Sequence, residues 1–273
     1  MLKAIKQARS AVGMLNPDEV HRRARQPVRI GLVAFDGAGY AAMEEFLGPA
    51  LDHVYRAGDP GAPDQVDLVL YQQGIPCPRD AYLLRFDDPA ATIAEILRDH
   101  DDLELALARQ FAPFREPVVE RIIHAVSREN AVFAVATALP DLVPSLAELP
   151  WAFGEFASDT AFLTVNQVRM AFLIAAACGK EVGYSERAAE ILSIVAGAFG
   201  WRALARELAG KIPFGGGIIP KGAIAYAGTF AIGKGLEHYY HAGAPYTRAQ
   251  RKEVYRAALE RGKAVVEAVR GKL

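Results

Sequence analysis

The order of apolar segments along the chain is the feature that most constrains its fold. In the first half, short apolar runs that fit buried strands, at 28–35, 65–71, 80–86 and 131–139, alternate with segments of helical spacing. After Pro140, almost every segment has helical spacing. Strands that alternate with helices are typical of a parallel, doubly wound sheet. The sequence therefore predicts an α/β domain with a mostly parallel sheet, followed by an all-helical domain.

The helical segments of the first half are predicted from apolar spacing and from their boundary residues. They are expected at 41–58, 89–99, 103–111 and 117–128. Proline is common in the first turn of a helix, so Pro89 supports the start of the second of these. A boundary near 141 divides the chain into a domain at 27–141 and a helical domain at 142–273, after an N-terminal helix at 1–26.

Charge is distributed unevenly although the formal net charge of the chain is only -1. Residues 1–30 carry seven Lys/Arg against two acids, and residues 247–273 carry eight against three, so each end has a net charge of +5. The residues between them carry sixteen against twenty-seven, a net charge of -11. Basic ends on an acidic body favour self-association or contact with an anionic membrane surface. The alternative is that the basic helices only cap the fold and keep it in solution.

The stretch 33–47, VAFDGAGYAAMEEFL, places a glycine-containing bend between a predicted strand and a predicted helix. A P-loop has the pattern G-x-x-x-x-G-K-[ST], in which the lysine contacts phosphate oxygens and the hydroxyl binds magnesium. If its second glycine is aligned with Gly39, the first glycine becomes Ala34, the lysine becomes Tyr40 and the hydroxyl residue becomes Ala41. The strand, bend and helix of a phosphate loop are therefore predicted without its chemistry.

Two further positions fit the order of GTPase motifs. An aspartate in the second strand could occupy the magnesium-directed position, and ALPDL at 138–142 could replace the guanine-reading N-K-x-D, with Ala138 and Leu139 at its Asn and Lys positions. The alternative is an unrelated α/β domain with a glycine-rich turn. The candidate vestigial nucleotide positions are Asp36, Gly37, Gly39, Tyr40, Asp67 and Asp141.

The segment 163–240 resembles the YcjF-like, GTPase-associated domain of unknown function. The resemblance depends on an LTVNQVRM-type helix, a GKEVGY link, LARELAGKIPFGGG and a small-residue helix that ends near Tyr239. It covers less than a third of the chain. Domains of this family often follow a GTPase domain, and some relatives are membrane-associated. The resemblance therefore implies a GTPase-like origin for 27–141, and it implies no reaction.

Two patterns in the helical half are candidate sites. The carboxylates of Glu155 and Asp159, four residues apart, could bind a divalent metal, but no E-x-x-H motif accompanies them. A solvated helix face or an internal network closed by an arginine is the alternative.

Small residues recur every four positions in the helical half and allow close helix packing, either in the fold or as an association face in a membrane. The residues of this small-residue stripe are Ala223, Ala227, Ala231 and Gly235.

Together these patterns predict a non-catalytic protein of bacterial type rather than an enzyme. We expect a cytoplasmic scaffold or membrane-peripheral protein that forms a homo-oligomer, with no cofactor, no metal and no nucleic-acid partner. The longest charge-free run, 222–233, has twelve residues, which is shorter than the ~18–20 that a transmembrane helix needs. The alternative is a nucleotide-binding protein or weak NTPase with a non-standard phosphate loop.

Overall fold

The computed structural model of the chain describes residues 16–137, 159–196 and 218–270. In chain order, its helices and strands are α1 Pro17–Arg25, β1 Ile30–Val33, α2 Gly37–Leu47, β2 Val54–Arg56, β3 Leu68–Gln72, β4 Tyr82–Leu84, α3 Pro89–Asp99, α4 Glu104–Gln110, α5 Ala112–Ala136, α6 Asp159–Ala177, α7 Ala188–Ala196, α8 Ile218–Ala242 and α9 Arg248–Arg270. The described residues therefore combine a small α/β part with a helical part.

The four strands form one parallel sheet in the order β2-β1-β3-β4. In the central pair, Ile30 lies beside Leu68 and Val33 lies beside Tyr71. The side chains of Ile30, Leu32 and Leu70 are almost fully buried. Such burial is usual for parallel strands, because helices cover the faces of the sheet. The predicted mostly parallel sheet is therefore confirmed.

Side-chain caps define the beginnings of two helices in this part. The carboxylate of Asp36 accepts a hydrogen bond from Gly39 N–H at 2.8 Å at the start of α2. At the start of α3, the carboxylate of Asp88 accepts from Ala91 N–H at 3.2 Å, and Pro89 occupies the first turn. Helix N-termini leave backbone N–H groups without partners, and aspartate caps satisfy them.

The prediction of one helix over 41–58 is wrong at its C-terminal end. Helix α2 ends at Leu47, Gly48 follows with φ 98°, and Val54–Arg56 forms the edge strand β2. A positive φ favours glycine and ends the helix. The three residues of β2 are only partly buried or exposed, so they lacked the apolar pattern by which a strand is recognised.

The prediction of a strand over 131–139 is also wrong for the residues that the structure describes. Helix α5 continues to Ala136, and Phe133 and Val135 are buried on it. A short apolar run fits a buried strand and a buried helix equally well, and the alanines of AVFAVATAL favour the helix. The structure also begins this helix at Ala112, five residues before the predicted start at Pro117.

The chain divides into two compact units. The α/β unit comprises Asp18–Glu120 and Ala176–Glu181, and the described residues of the helical unit are 16–17 together with those within 121–175 and 182–270. The predicted boundary near 141 lies outside the described residues and stays a prediction.

Helices α8 and α9 pack closely in the helical unit. A Cβ atom on Gly262 of α9 would lie 2.8 Å from the carbonyl oxygen of Ala223 and 3.1 Å from its Cα atom. Ala227 and Ala231 are fully buried, and Gly235 is buried as well. The small-residue stripe therefore lies in the interior of this unit, with Ala223 facing α9. None of the described helices has the length and apolar character required to cross a bilayer.

Tyr255 of α9 is fully buried, and its hydroxyl has no hydrogen-bond partner within the described part of the chain. A buried polar group without a partner costs about 1–3 kcal/mol. We therefore expect Tyr255→Phe to raise the free energy of unfolding by about 1 kcal/mol in urea titrations. The matched control is Tyr226→Phe, because the Tyr226 hydroxyl lies 2.7 Å from His124 Nδ1 and its loss should destabilise the fold. Equal losses of stability in Tyr255→Phe and Tyr226→Phe would contradict the conclusion that the Tyr255 hydroxyl is buried without a hydrogen-bond partner.

The same tyrosine gives a pH dependence with a defined sign. Burial raises the pKa of Tyr255 to about 12, above the ordinary value of about 10. The unfolded chain therefore loses this proton at lower pH than the folded chain does, and the free energy of unfolding falls as pH rises between about 10 and 12. Tyr255→Phe should remove this component, so the difference in the free energy of unfolding between this variant and the natural protein should grow between about pH 10 and pH 12 in urea titrations.

Candidate functional site

The order of the strands defines where a ligand of the α/β unit would bind. The chain passes from β1 to β2 on one side and then to β3 on the other side, so the carboxyl ends of β1 and β3 flank a switch point. Ligands of open α/β sheets bind in the crevice at such a point. Residues 34–36 connect β1 to the first turn of α2 at 37–40, and residues 73 and 74 follow β3. The segment predicted to be a degenerate phosphate loop therefore lies at the carboxyl edge of the sheet.

The beginning of α2, which in a P-loop binds phosphate, is occupied by the chain's own carboxylate. The side chain of Asp36 accepts from Gly39 N–H at 2.8 Å. The N-terminus of a helix attracts anions through its N–H groups and its dipole. Because Asp36 is itself an anion, it satisfies this N–H group and would repel a phosphate at the same place.

Gln72 fills the space beside the loop. Its Oε1 atom accepts a hydrogen bond from Phe35 N–H at 3.0 Å. The same atom lies only 2.2 Å from the position that a Cβ atom on Gly39 would take. The Gln72 amide therefore occupies the space next to Gly39, and a larger residue at position 39 would displace this side chain. Two N–H groups of the loop, those of Phe35 and Gly39, are bound by side chains of the chain itself.

The residue at the lysine position of the motif is Tyr40, and it contacts an arginine. The guanidinium carbon of Arg56 lies 5.4 Å from the centre of the Tyr40 ring. The same guanidinium donates to both carboxylate oxygens of Glu44, at 2.6 and 2.8 Å. Hydrogen bonding to Arg56 lowers the pKa of Glu44, so the pair stays ionised. Arg56 is thus balanced by a carboxylate, unlike the lysine of a P-loop.

The structure does not bring Asp67 to the loop. Asp67 precedes β3, where its carboxylate accepts from Arg29 N–H at 2.7 Å and pairs with the Arg29 side chain. Arg29 directly precedes β1, and β1 and β3 are parallel. Asp67 therefore lies at the amino edge of the sheet, whereas the loop lies at the carboxyl edge. The sequence alone could not distinguish the two edges, because the aspartate adjoins an apolar run in either case.

The remaining predicted nucleotide and metal positions are Asp141, Glu155 and Asp159. Asp141 and Glu155 lie outside the described residues, and Asp159 is the first residue of α6. Among the residues with described positions, no three His, Cys, Asp or Glu side chains are grouped as a metal site requires.

Aromatic side chains are exposed at the carboxyl edge of the sheet. Phe35, after β1, is 65% exposed, and Phe86, after β4, is 43% exposed. Gly74, with φ 100°, lies next to the ring of Phe35. Exposed aromatic residues are enriched at protein interfaces. This edge therefore presents exposed apolar surface beside the segment that follows β1.

A buried polar network joins three helices of the helical unit. Asn130 Nδ2 donates to Thr229 Oγ1 at 2.8 Å, and Asn166 Nδ2 donates to Asn130 Oδ1 at 2.9 Å. All three residues are at most 1% exposed. Arg169 forms an ion pair with Glu129 beside the network. The sequence did not indicate that Asn130 and Thr229 meet, because they lie on different helices, ninety-nine residues apart in the chain.

The described part of the basic C-terminal end has a mixed charge pattern. On α9, the exposed residues Arg256 and Arg261 alternate with Glu253, Glu260 and Glu267. The ammonium group of a lysine on the same helix also pairs with Glu260, at 2.8 Å. A face on which cations and carboxylates alternate is typical of a solvated helix surface. Helix α9 as a whole carries seven Lys/Arg against three Glu, so its net charge stays positive.

Comparisons of the chain with protein-family models, with curated proteins and with solved structures gave no significant match. The resemblance of 163–240 to the YcjF-like family therefore stays a prediction.

Proposed function

We propose that the protein is a non-catalytic scaffold whose α/β unit retains the form of a GTPase-like domain without its nucleotide chemistry. One observation carries the proposal. The side chains of Asp36 and Gln72 bind the N–H groups of the loop that would otherwise hold phosphate, at 2.8 and 3.0 Å.

The residue types at the loop support the same conclusion. Phosphoryl transfer depends on positive charge and a metal ion that stabilise the transferred group. Tyr40 and Ala41 stand where the lysine and the hydroxyl residue of the motif would be. Asp36, Glu44 and Glu45 place three carboxylates in the loop and the first turns of α2. Glu44 is paired with Arg56, so the charges of Asp36 and Glu45 are the ones that oppose the binding of a nucleotide polyphosphate.

The surface at this edge is suited to contact with another macromolecule. Phe35 and Phe86 offer exposed rings on two loops of the same edge. A scaffold of this kind would use the switch point as part of its binding surface instead of as an active site.

Titration calorimetry with Mg-GTP and Mg-ATP tests the proposal. We expect no saturable binding below about 100 µM nucleotide, because the loop lacks the charge and the metal ligand of a P-loop. An active P-loop GTPase, titrated under the same conditions, is the positive control. Sub-micromolar affinity for either nucleotide would contradict the proposal and favour the alternative, a nucleotide binder with a non-standard loop.

A further inference from the structure

A second concave site lies in the α/β unit, away from the switch point. It is an open pocket with a volume of about 400 Å³, within the range of small-molecule sites. Pro27, before β1, and His53, before β2, line it, so it lies at the amino edge of the sheet. Its polar lining includes Arg25, Arg109 and Asp52.

The two arginines of this pocket converge on one carboxylate. Arg25 Nη2 donates to Glu181 Oε1 at 2.6 Å, and Arg109 Nη2 donates to the same oxygen at 3.4 Å. A second nitrogen of Arg109 donates to the carbonyl oxygen of Lys180 at 3.1 Å. His21 Nε2 lies 3.8 Å from the other carboxylate oxygen of Glu181. Three basic side chains thus surround a single acidic one.

The side chains of this cluster differ in their exposure to solvent. The side chain of Arg109 is only 17% exposed, whereas that of Glu181 is 52% exposed. Ion pairs between exposed side chains contribute little to stability, so an exposed carboxylate is readily exchanged for another. A guanidinium group has five N–H donors in a planar fork that matches a carboxylate. In the structure each arginine makes one contact with Glu181, and both contacts go to the same carboxylate oxygen, so Glu181 acts as an internal ligand shared by the two guanidinium groups.

We propose that this pocket binds a small molecule that carries a carboxylate and a hydrogen-bond donor. The carboxylate of the ligand replaces Glu181 between Arg25 and Arg109. Asp52 and His53, on the lining of the same pocket, accept from the donor group of the ligand. Gln110 holds the pocket wall in place: its amide nitrogen donates to Gln26 O at 2.9 Å, and its oxygen accepts from Val28 N–H at 3.3 Å.

Hydrogen bonding to Arg25 lowers the pKa of Glu181, so its carboxylate is ionised at neutral pH. An ionised Glu181 competes with an external carboxylate for the same donors. Removing this charge while keeping the size of the side chain should therefore strengthen ligand binding. Removing the charge of Arg109 should abolish it, because Arg109 is the better-buried member of the pair.

Titration of the full-length protein, followed by NMR chemical shifts, tests the proposal with three probes of similar size. They are 4-aminobutyrate, which has both groups, butyrate, which has only the carboxylate, and 4-aminobutanamide, which has only the donor. We expect saturable binding of 4-aminobutyrate with a Kd of about 1 mM, roughly tenfold weaker binding of butyrate, and no binding of the amide. The absence of saturable binding of 4-aminobutyrate up to about 20 mM would overturn the proposal.

Three variants assign the binding to the cluster. Glu181→Gln should tighten 4-aminobutyrate binding by roughly fivefold or more, and Arg109→Gln should weaken it at least about tenfold. Arg25→Gln provides the same test if Arg109→Gln does not fold. Arg98→Gln is the matched control, because Arg98 is exposed and pairs with Asp99. Unchanged affinity for 4-aminobutyrate in both Glu181→Gln and Arg109→Gln would overturn the proposal. These titrations do not measure nucleotide binding at the carboxyl edge of the sheet, so they test this proposal separately from the proposed function.

Discussion

Replacing Gly262 with alanine is expected to lower the free energy of unfolding by about 1–3 kcal/mol, because the added methyl group has no space between α8 and α9. It would lie 2.8 Å from the carbonyl oxygen of Ala223 and 3.1 Å from the Ala223 Cα atom. Both are backbone atoms, so no side-chain rotation relieves the contact and the helices must move apart. Alanine gains up to about 1 kcal/mol of helix propensity over glycine, which offsets part of the loss.

Gly228→Ala is the matched control for this prediction. Gly228 lies within α8, and a Cβ atom placed there has no neighbouring atom within 4 Å. Only the helix propensity then changes, so this variant should be more stable than the natural protein by up to about 1 kcal/mol. Urea-induced unfolding followed by circular dichroism measures both. Equal stabilities of the two variants would contradict the close approach of α8 and α9.

Asn130→Ala is expected to destabilise the protein by about 2–4 kcal/mol, because it breaks the buried polar network and leaves a small cavity. The truncation removes the donor to Thr229, at 2.8 Å, and the acceptor for Asn166, at 2.9 Å. Both partners are buried where water does not replace the lost hydrogen bonds. As a control, Gln73→Ala truncates an exposed amide and should change stability by less than about 0.5 kcal/mol.

A double-mutant cycle with Thr229→Val separates the hydrogen bond from the cavity. Valine keeps the shape of threonine but lacks the hydroxyl that accepts from Asn130. Residues of one hydrogen-bond network are coupled by about 0.5–3 kcal/mol. The double variant should therefore lose less stability than the sum of the two single variants. Strict additivity would show that Asn130 and Thr229 do not form the bond.

The parts of the fold that could be predicted from the sequence are those with a strong local signal. Strands β1 and β3 are compact apolar runs, and α3 matches its predicted bounds because Asp88 and Pro89 mark its start. Strand β2 could not be predicted, since its three residues are partly exposed at the edge of the sheet. The strand predicted at 131–139 was wrong because its apolar pattern did not distinguish a helix from a strand.

The candidate site shows the same limit of local information. The sequence predicted a bend between the first strand and the next helix, and it showed no lysine or hydroxyl residue at the corresponding P-loop positions. Both predictions depend only on spacing within a few residues. It did not indicate that Gln72, thirty-three residues after Gly39, fills the space beside the loop. The arginine pair that binds Glu181 likewise joins residues from three distant segments. Such contacts follow from strand order and helix packing, which a single sequence does not specify.

The most direct test of the central claim is a measurement of the backbone N–H groups of Phe35 and Gly39 by NMR, without and with Mg-GTP. If the side chains of Gln72 and Asp36 already bind these groups, their chemical shifts and hydrogen-exchange protection should stay unchanged at about 1 mM nucleotide. Saturable shifts of both groups, with loss of the contacts to Asp36 and Gln72, would show that the loop holds phosphate and would contradict a non-catalytic scaffold.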